Sequence, residues 1–536
     1  MSGTNIVDVV NYYIQEWTGS APMQANPKGP VILAEPEYLN QITSNPNLSI
    51  VLVKALYGYG KTYGFGYGIY HKAREIGRFD AIYINARGVR AELEKVGGPY
   101  SLKKEPRDII RIVCGGFQRG LVNNDNNDEY RGIYLATNLG TLSAVCNNFE
   151  KYINSDNSLE ALRQFYRDLV KLNENRKRVI LIIDEFERTT GEIDKPDPET
   201  VFLWIHSTLQ ALRPGVLDEH PSQLTLVFLI QELYYPRESM KKLIEESAHP
   251  ALGRMFSVNA DGSVPVKYSE ESFINYIKKI IVELAARNVI SLNTANSIIG
   301  IFQSISVRKL FREHLANTPA SIAFSIINEL IRYVIVDNDA TTDDVINEFK
   351  KMLNDYPIYE IYAGKRTVAK GEYLANAASG LLKRYYESRN ISVVTNKILR
   401  VGFEGAYTVT GNELKAVIFR LSDVDDAQKY INEFKRLYGS ALKEYCAQQQ
   451  PKGRTQNNCE ISLLFTQDVN VGLAYNALTR LNMIDGIRVA FNVKPIELTY
   501  DDLFVIIAGY NDVNITSGIR KFVDGRLDEI IKKIFM

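Results

Sequence analysis

The stretch Ala55-Leu-Tyr-Gly-Tyr-Gly-Lys-Thr62 ends in Gly60, Lys61 and Thr62 after a small residue and four intervening positions. That spacing is the one a phosphate-binding loop uses. Successive backbone N–H groups and the positive end of the following helix converge on phosphate oxygens, and only small residues let the backbone come that close. In such a loop Gly58 and Gly60 set the shape, and the backbone through Tyr59 and Tyr63 lines the phosphates. Lys61 meets the β- and γ-phosphates, and Thr62 ligates Mg²⁺. Alanine at position 55 differs from glycine by one methyl group and asks for a backbone outside the left-handed region.

A second chemical feature lies roughly 120 residues downstream, where the apolar run Val179 to Ile183 ends in Asp184 and Glu185. A carboxylate at such a strand tip holds the shell of a magnesium ion, which is the role expected of Asp184. Its neighbour Glu185 is expected to orient and polarise an attacking water. A third apolar run, "QLTLVFLIQEL", carries a polar residue, Gln231, at its end.

These residues need strands to deliver them. "SIVLVKAL" before the glycines is a β-branched apolar run, and "DAIYINA" follows after a segment long enough for a helix. The spacing predicts a β-loop-α-β unit with parallel pairing. Residues 102 to 175 read as mostly helical, broken by "VNNDNNDEYRG", and "NSLEALRQFYRDLVKL" shows helical periodicity. Amphipathic helices extend from about Glu270 to Val336, and the acidic turn at Asp337 to Asp344 marks a seam. Beyond it, "KILRVGF", "LKAVIFRL", "CEISLLF", "IRVAFNV" and "DLFVIIAG" read as strands of a second α/β domain. Glycines at 64, 66 and 68 are costly inside a helix. They imply either close packing of that helix or a distorted first turn.

With these motifs in order, residues 30 to 336 resemble the AAA+ branch of phosphate-loop ATPases, with an impression of the archaeal initiator-like ATPases. The resemblance implies ATP and Mg²⁺ as ligands, Gln231 in the sensor position beside the γ-phosphate, and a helical lid. It also implies that Arg254, in "GRMF", is similar to the arginine finger that one subunit offers to its neighbour's nucleotide. The second-sensor position after Pro319 holds Ala320 or Ser321 in place of arginine, with Arg308 and Arg312 as substitutes nearby.

The expected fold class is α/β. A P-loop NTPase parallel sheet flanked by helices spans 1–235, a helical lid 236–340, and a C-terminal α/β effector or assembly domain 341–536. The expected function is MgATP hydrolysis at a subunit interface, with assembly into a ring or filament. The expected task is a DNA transaction (replication, segregation or defence), with DNA or a DNA-bound protein as partner. Two other classes fit the same residues. One is a slow nucleotide switch that forms filaments, for example in DNA partition. The other is an ATP-gated nuclease using Glu404, Glu413 and Lys415, where carboxylates hold Mg²⁺ and the lysine steadies the attacking water.

Composition bounds the remainder. The 63 basic and 63 acidic residues among 536 cancel, so any nucleic-acid or anionic-membrane contact must come from a local patch. Small basic clusters such as Arg176 to Arg178 read as solvated faces. Cys114, Cys146, Cys446 and Cys459 are too few and scattered for a disulfide framework or a paired-ligand zinc site, which fits a reducing compartment. The five histidines show no ligand spacing. The N-terminus lacks the pattern of a secretory signal, and no window holds the apolar run of a membrane span. A cytoplasmic location, with no membrane partner, is the expectation.

Overall fold

The computed structural model describes residues 6–18, 30–55, 58–122, 132–136, 139–171, 177–189, 198–212, 223–246, 250–316, 318–337 and 339–355, then 394–400, 403–409, 414–421, 436, 458–466, 483–484, 487–496, 502, 505, 523 and 525–532. The chain divides into two compact units, Met1–Ile346 and Asn347–Met536.

The first unit is organised by one sheet. Its strands are β1 (Ile50–Ala55), β2 (Phe79–Asn85), β3 (Ile133–Ala136), β4 (Arg178–Asp184), β5 (Leu224–Gln231), β6 (Met255–Phe256) and β7 (Ser263–Pro265). They lie in the order β3-β2-β4-β5-β1-β6, with β7 also paired to β1. Every pairing is parallel except β2 with β3. Parallel strands are covered on both faces and therefore run apolar without alternation. In β1, β4 and β5 every residue is buried accordingly.

From β1 the chain winds outward to β2, and after β5 it returns to the other side of β1 through β6 and β7. That reversal opens a crevice at the carboxyl ends of the strands, beside β1. Ala55, Asp184 and Gln231 all end strands at this edge. Behind it the core locks the tip of β4 in place. Phe186 stacks on Phe228 with ring centroids 4.1 Å apart, and Trp204 meets Phe186 edge-on.

Residues 102 to 175 are helical over much of their described length, but Ile133–Ala136 forms an edge strand antiparallel to β2, too short to show a period. Arg178 is not a solvated basic residue. It is 9% exposed and bonds Thr225 Oγ1 and the carbonyls of Ile42 and Thr43, pinning the helix Leu39–Ser44 under the sheet.

The cysteine reading fails as well: Cys114 and Cys146 are joined by a disulfide across 32 residues, inside the core. Spacing could not reveal this, because the pair meets only after the intervening chain folds back.

Helices Glu270–Ala286, Leu292–Gln303, Ile305–Leu310 and Ala320–Val336 form a helical group where the lid is expected. Ser269, Ser291 and Ser304 cap the first three by accepting a backbone N–H from three residues ahead. Phe273, Phe311 and Phe324 pack their rings between them, and the N-terminal helix Ile6–Thr18 lies against this group.

The second unit is a mixed sheet of β8 (Val394–Arg400), β9 (Phe403–Val409), β10 (Leu414–Leu421), β11 (Asn458–Thr466), β12 (Met483–Ile484) and β13 (Ile487–Ile496), ordered β12-β13-β11-β10-β9-β8. "KILRVGF" is not one strand: it is divided between β8 and β9, which pair antiparallel. "DLFVIIAG" is not a strand where it is described, since Asp502 and Val505 are helical. Asp502 is buried against Arg526 at 2.6 Å, an ion pair the run's apolar character hides.

Candidate nucleotide site

Two glycines make the loop after β1 possible. Gly58 has φ +82° and Gly60 φ +90°, a region that side chains resist. The chain then winds as a π-helical segment, Lys61–Tyr67, and continues as the helix Gly68–Ile76. The glycines at 64, 66 and 68 serve both of the roles expected of them. The first turns are widened, and the backbone is closely approached: a Cβ on Gly66 would stand 2.7 Å from the Tyr83 ring, and one on Gly68 3.1 Å from Leu39.

Lys61 is buried and donates from Nζ to the carbonyl of Ala55 at 2.7 Å, so its ammonium lies inside the loop it closes. Thr62 Oγ1 donates to Asp184 Oδ2 at 2.5 Å. Tyr83 donates its hydroxyl to the same oxygen at 2.7 Å, while the N–H of Glu185 takes Asp184 Oδ1 at 2.9 Å. Burial pushes the Asp184 carboxyl above the usual carboxylate range, against the pull of these donors and of Lys61. Tyr63 sends its hydroxyl the other way, to the carbonyls of Thr18 at 2.9 Å and Ile32 at 3.1 Å, tying the loop helix to the N-terminal segment.

Glu185 follows the strand tip with φ +52°, a left-handed conformation uncommon for glutamate. Such strain persists where the surroundings over-determine it, and it clusters at functional sites. Burial and the charge of Asp184 raise its pKa, with Arg87, Arg188 and Lys61 opposing. Gln231 is paired in register with Ala55, which puts it beside the loop's root. Its N–H donates to Glu187 Oε2 at 3.2 Å.

Glu187 is a residue that sequence reasoning missed. It is fully buried, and burial followed by the charge of Glu185 raises its pKa to about 7. The signal was present in the third acid of "DEFER", but only the 3₁₀ turn Phe186–Thr189 brings it back under β5. Tyr83 was also missed, because inside an apolar strand it looks like core.

Arg254 lies elsewhere. Its carbonyl accepts from the N–H of Ser49, at the opposite end of β1, so it stands roughly 20 Å along the strand from the loop. Within one chain it is not brought to Lys61. Arg308 is held by Glu270 at 3.0 Å and Glu271 at 3.0 Å, and Arg312 lies 3.5 Å from Glu270, so both are engaged within that helical group.

In the second unit the register sets Lys415 opposite Thr408 and Glu404 opposite Arg420. Four residues of strand, roughly 13 Å, separate Glu404 from Thr408. This does not gather the nuclease set, and Glu413 lies outside the described residues.

Beside the loop is a cavity of about 580 Å³ whose lining includes Ala55, Tyr59, Arg237, Lys241, Tyr268 and Thr318. That volume is typical of small-molecule sites. The residues fit a nucleoside triphosphate with Mg²⁺ on structural grounds. A Cβ on Gly60 would meet the Tyr268 hydroxyl at 2.6 Å and Ala320 at 3.1 Å, so the cradle tolerates only glycine. Thr62 and Asp184 supply one hydroxyl and one carboxylate, a sparse set suited to a hard cation that keeps waters and leans on phosphate oxygens. Among the described residues no group of three or more histidine, cysteine or carboxylate side chains is placed to hold a metal unaided. No helix among them is long and apolar enough to cross a membrane.

No family model and no curated protein matches the chain. Among solved structures it is similar to the Walker-type ATPase PABY2304 of Pyrococcus abyssi, at 15% identity and a TM-score of 0.29, over 66% of this chain and 83% of that one. A likeness that low carries no argument, and the reading of the site rests on its residues.

Proposed function

We propose that this protein binds and hydrolyses MgATP at the carboxyl edge of β1, β4 and β5. The observation that carries the reading is the meeting of Thr62 with Asp184 at 2.5 Å, beside a buried Lys61, under a loop whose Gly60 admits no side chain. The backbone from Gly58 to Tyr63 cradles the phosphates. Lys61 exchanges the Ala55 carbonyl for β- and γ-phosphate oxygens. Thr62 and Asp184 hold Mg²⁺, which when bound neutralises charge on the β- and γ-phosphates. Glu185 accepts a hydrogen bond from the attacking water and aligns it with the γ-phosphorus. Gln231, at the root of the loop, contacts the γ-phosphate. Titration of ATP against the parent and Lys61→Ala, in Mg²⁺ and in EDTA, tests this. Tight binding by the parent that is lost in Lys61→Ala supports it, and equal binding by both contradicts it.

The proposal extends to an assembly. Arg254 lies across the length of β1 from its own loop, so a finger role would require a neighbouring copy, and on that reading we propose self-association into a ring or filament. Mixing Arg254→Ala with Lys61→Ala tests this. Each variant alone is expected to be inactive, and the mixture to regain part of the activity because some interfaces pair an intact loop with an intact finger. A mixture as inactive as its parts removes the finger. Work on DNA or a DNA-bound protein is the proposed task, tested by ATP-dependent retention of duplex DNA.

A further inference from the structure

Tyr268 closes the loop's outer side. Its side chain is 4% exposed, and its hydroxyl has no hydrogen-bond partner among the described residues. A buried phenol left so is costly, because the lost hydration is not replaced. The direction it faces is set by the glycines: a Cβ on Gly60 would stand 2.6 Å from that oxygen, and one on Gly64 would collide with it. The hydroxyl therefore sits over the start of the loop helix, between residues one turn apart. The ring is held from the lid side, edge-on to Phe324 at 5.2 Å and stacked with Phe273 at 6.2 Å.

The same spot receives a second helix start. The lid helix Ala320–Val336 begins with Ala320 against Gly60, and Pro319 before it provides no side-chain cap. Two helix N-termini, each carrying partial positive charge, thus meet at an uncommitted hydroxyl donor. A phenol keeps its proton at neutral pH, and burial only moves its pKa further up.

We propose that the Tyr268 hydroxyl donates to a phosphate oxygen of the bound nucleotide, making it the contact through which the lid registers the phosphate tail. This rests on the reading of the loop as a nucleotide site. It gives the lid a phosphate sensor where no arginine follows Pro319, since Arg308 and Arg312 are engaged with Glu270. Tyr268 is a binding residue in this account, and it couples the lid to nucleotide without taking part in the chemistry.

The test compares Tyr268→Phe, Lys61→Ala and the parent by MgATP titration and by thermal melting with and without MgATP. Tyr268→Phe keeps the ring and removes only the oxygen. Its MgATP affinity is expected to fall about ten- to a hundredfold, as for a hydrogen bond to a charged group. Its nucleotide-free melting temperature is expected to equal or exceed the parent's, because an unpartnered buried hydroxyl is gone. If Tyr268→Phe binds MgATP as the parent does while Lys61→Ala does not, the sensor is wrong and the loop reading stands. If both variants bind as the parent does, the loop reading falls and takes the sensor with it. A nucleotide-free Tyr268→Phe that melts well below the parent would mean the hydroxyl has a structural partner, which also overturns the proposal.

Discussion

Thr62 and Asp184, 122 residues apart in the chain, share a hydrogen bond of 2.5 Å at the mouth of the sheet. One belongs to the first turn of the loop helix and the other ends β4, so the contact exists only because β5 and β1 lie in register beside β4. Tyr83 holds the same carboxylate oxygen from β2. Asp184→Asn keeps the shape and removes the charge. Its Mg²⁺-dependent phosphate release is expected to fall about a hundredfold or more, since the ion's charge is what catalysis of this kind relies on. Steady-state phosphate release against Mg²⁺ concentration checks it, and an unchanged Mg²⁺ dependence would remove Asp184 from the metal site.

Gly66 links packing to the same carboxylate. A Cβ there stands 2.7 Å from the Tyr83 ring, so Gly66→Ala must displace the ring that donates to Asp184. The expected cost is roughly 1–3 kcal/mol of stability, as for other overpacked sites. Thermal melting and phosphate release are expected to fall together, and a variant that melts as the parent does would show that the helix shifts freely.

Glu187 gives a pH signature. Its folded pKa, raised to about 7 by burial and then by Glu185, lies above the ordinary value of 4.5. The folded state therefore holds the proton over that interval more tightly than the unfolded chain does. This contribution is fully present below pH 4.5 and is lost as pH rises through 7. Glu187→Gln is expected to flatten the decline of stability between those limits, measured by denaturant melts across pH. An unchanged slope would mean that Glu187 stays ionised in the fold.

The disulfide between Cys114 and Cys146 closes a loop of 32 residues. Loops of that length restrict the unfolded chain by about 3–4 kcal/mol in the chain-entropy account. Cys114→Ala is expected to lower the melting temperature, and thiol labelling of the unfolded but unreduced chain to leave Cys114 and Cys146 unlabelled. Labelling of both would contradict the bond.

Much of the site was legible because its parts are local. The loop needs glycine, lysine and threonine in fixed order, and buried parallel strands announce themselves as apolar runs that end in a polar residue, as at Asp184 and Gln231. What was hidden depends on chain returns that no period records. Glu187 is carried back to the backbone of Gln231 only by a 3₁₀ turn, Tyr83 and Tyr268 look like core until their hydroxyls are located, and Cys114 meets Cys146 across 32 residues. "DLFVIIAG" misled for a related reason: where described it is helical, and a short apolar run fits a buried helix as well as a strand.

The most direct measurement is phosphate release from ATP by the purified protein, with Mg²⁺, for the parent and for Lys61→Ala. The account predicts release by the parent that stops in EDTA and is absent from Lys61→Ala, because the buried ammonium beside Ala55 is the loop's charge on the transferred phosphate. A parent that neither binds nor hydrolyses ATP, or a Lys61→Ala variant that releases phosphate at the parent's rate, would contradict it.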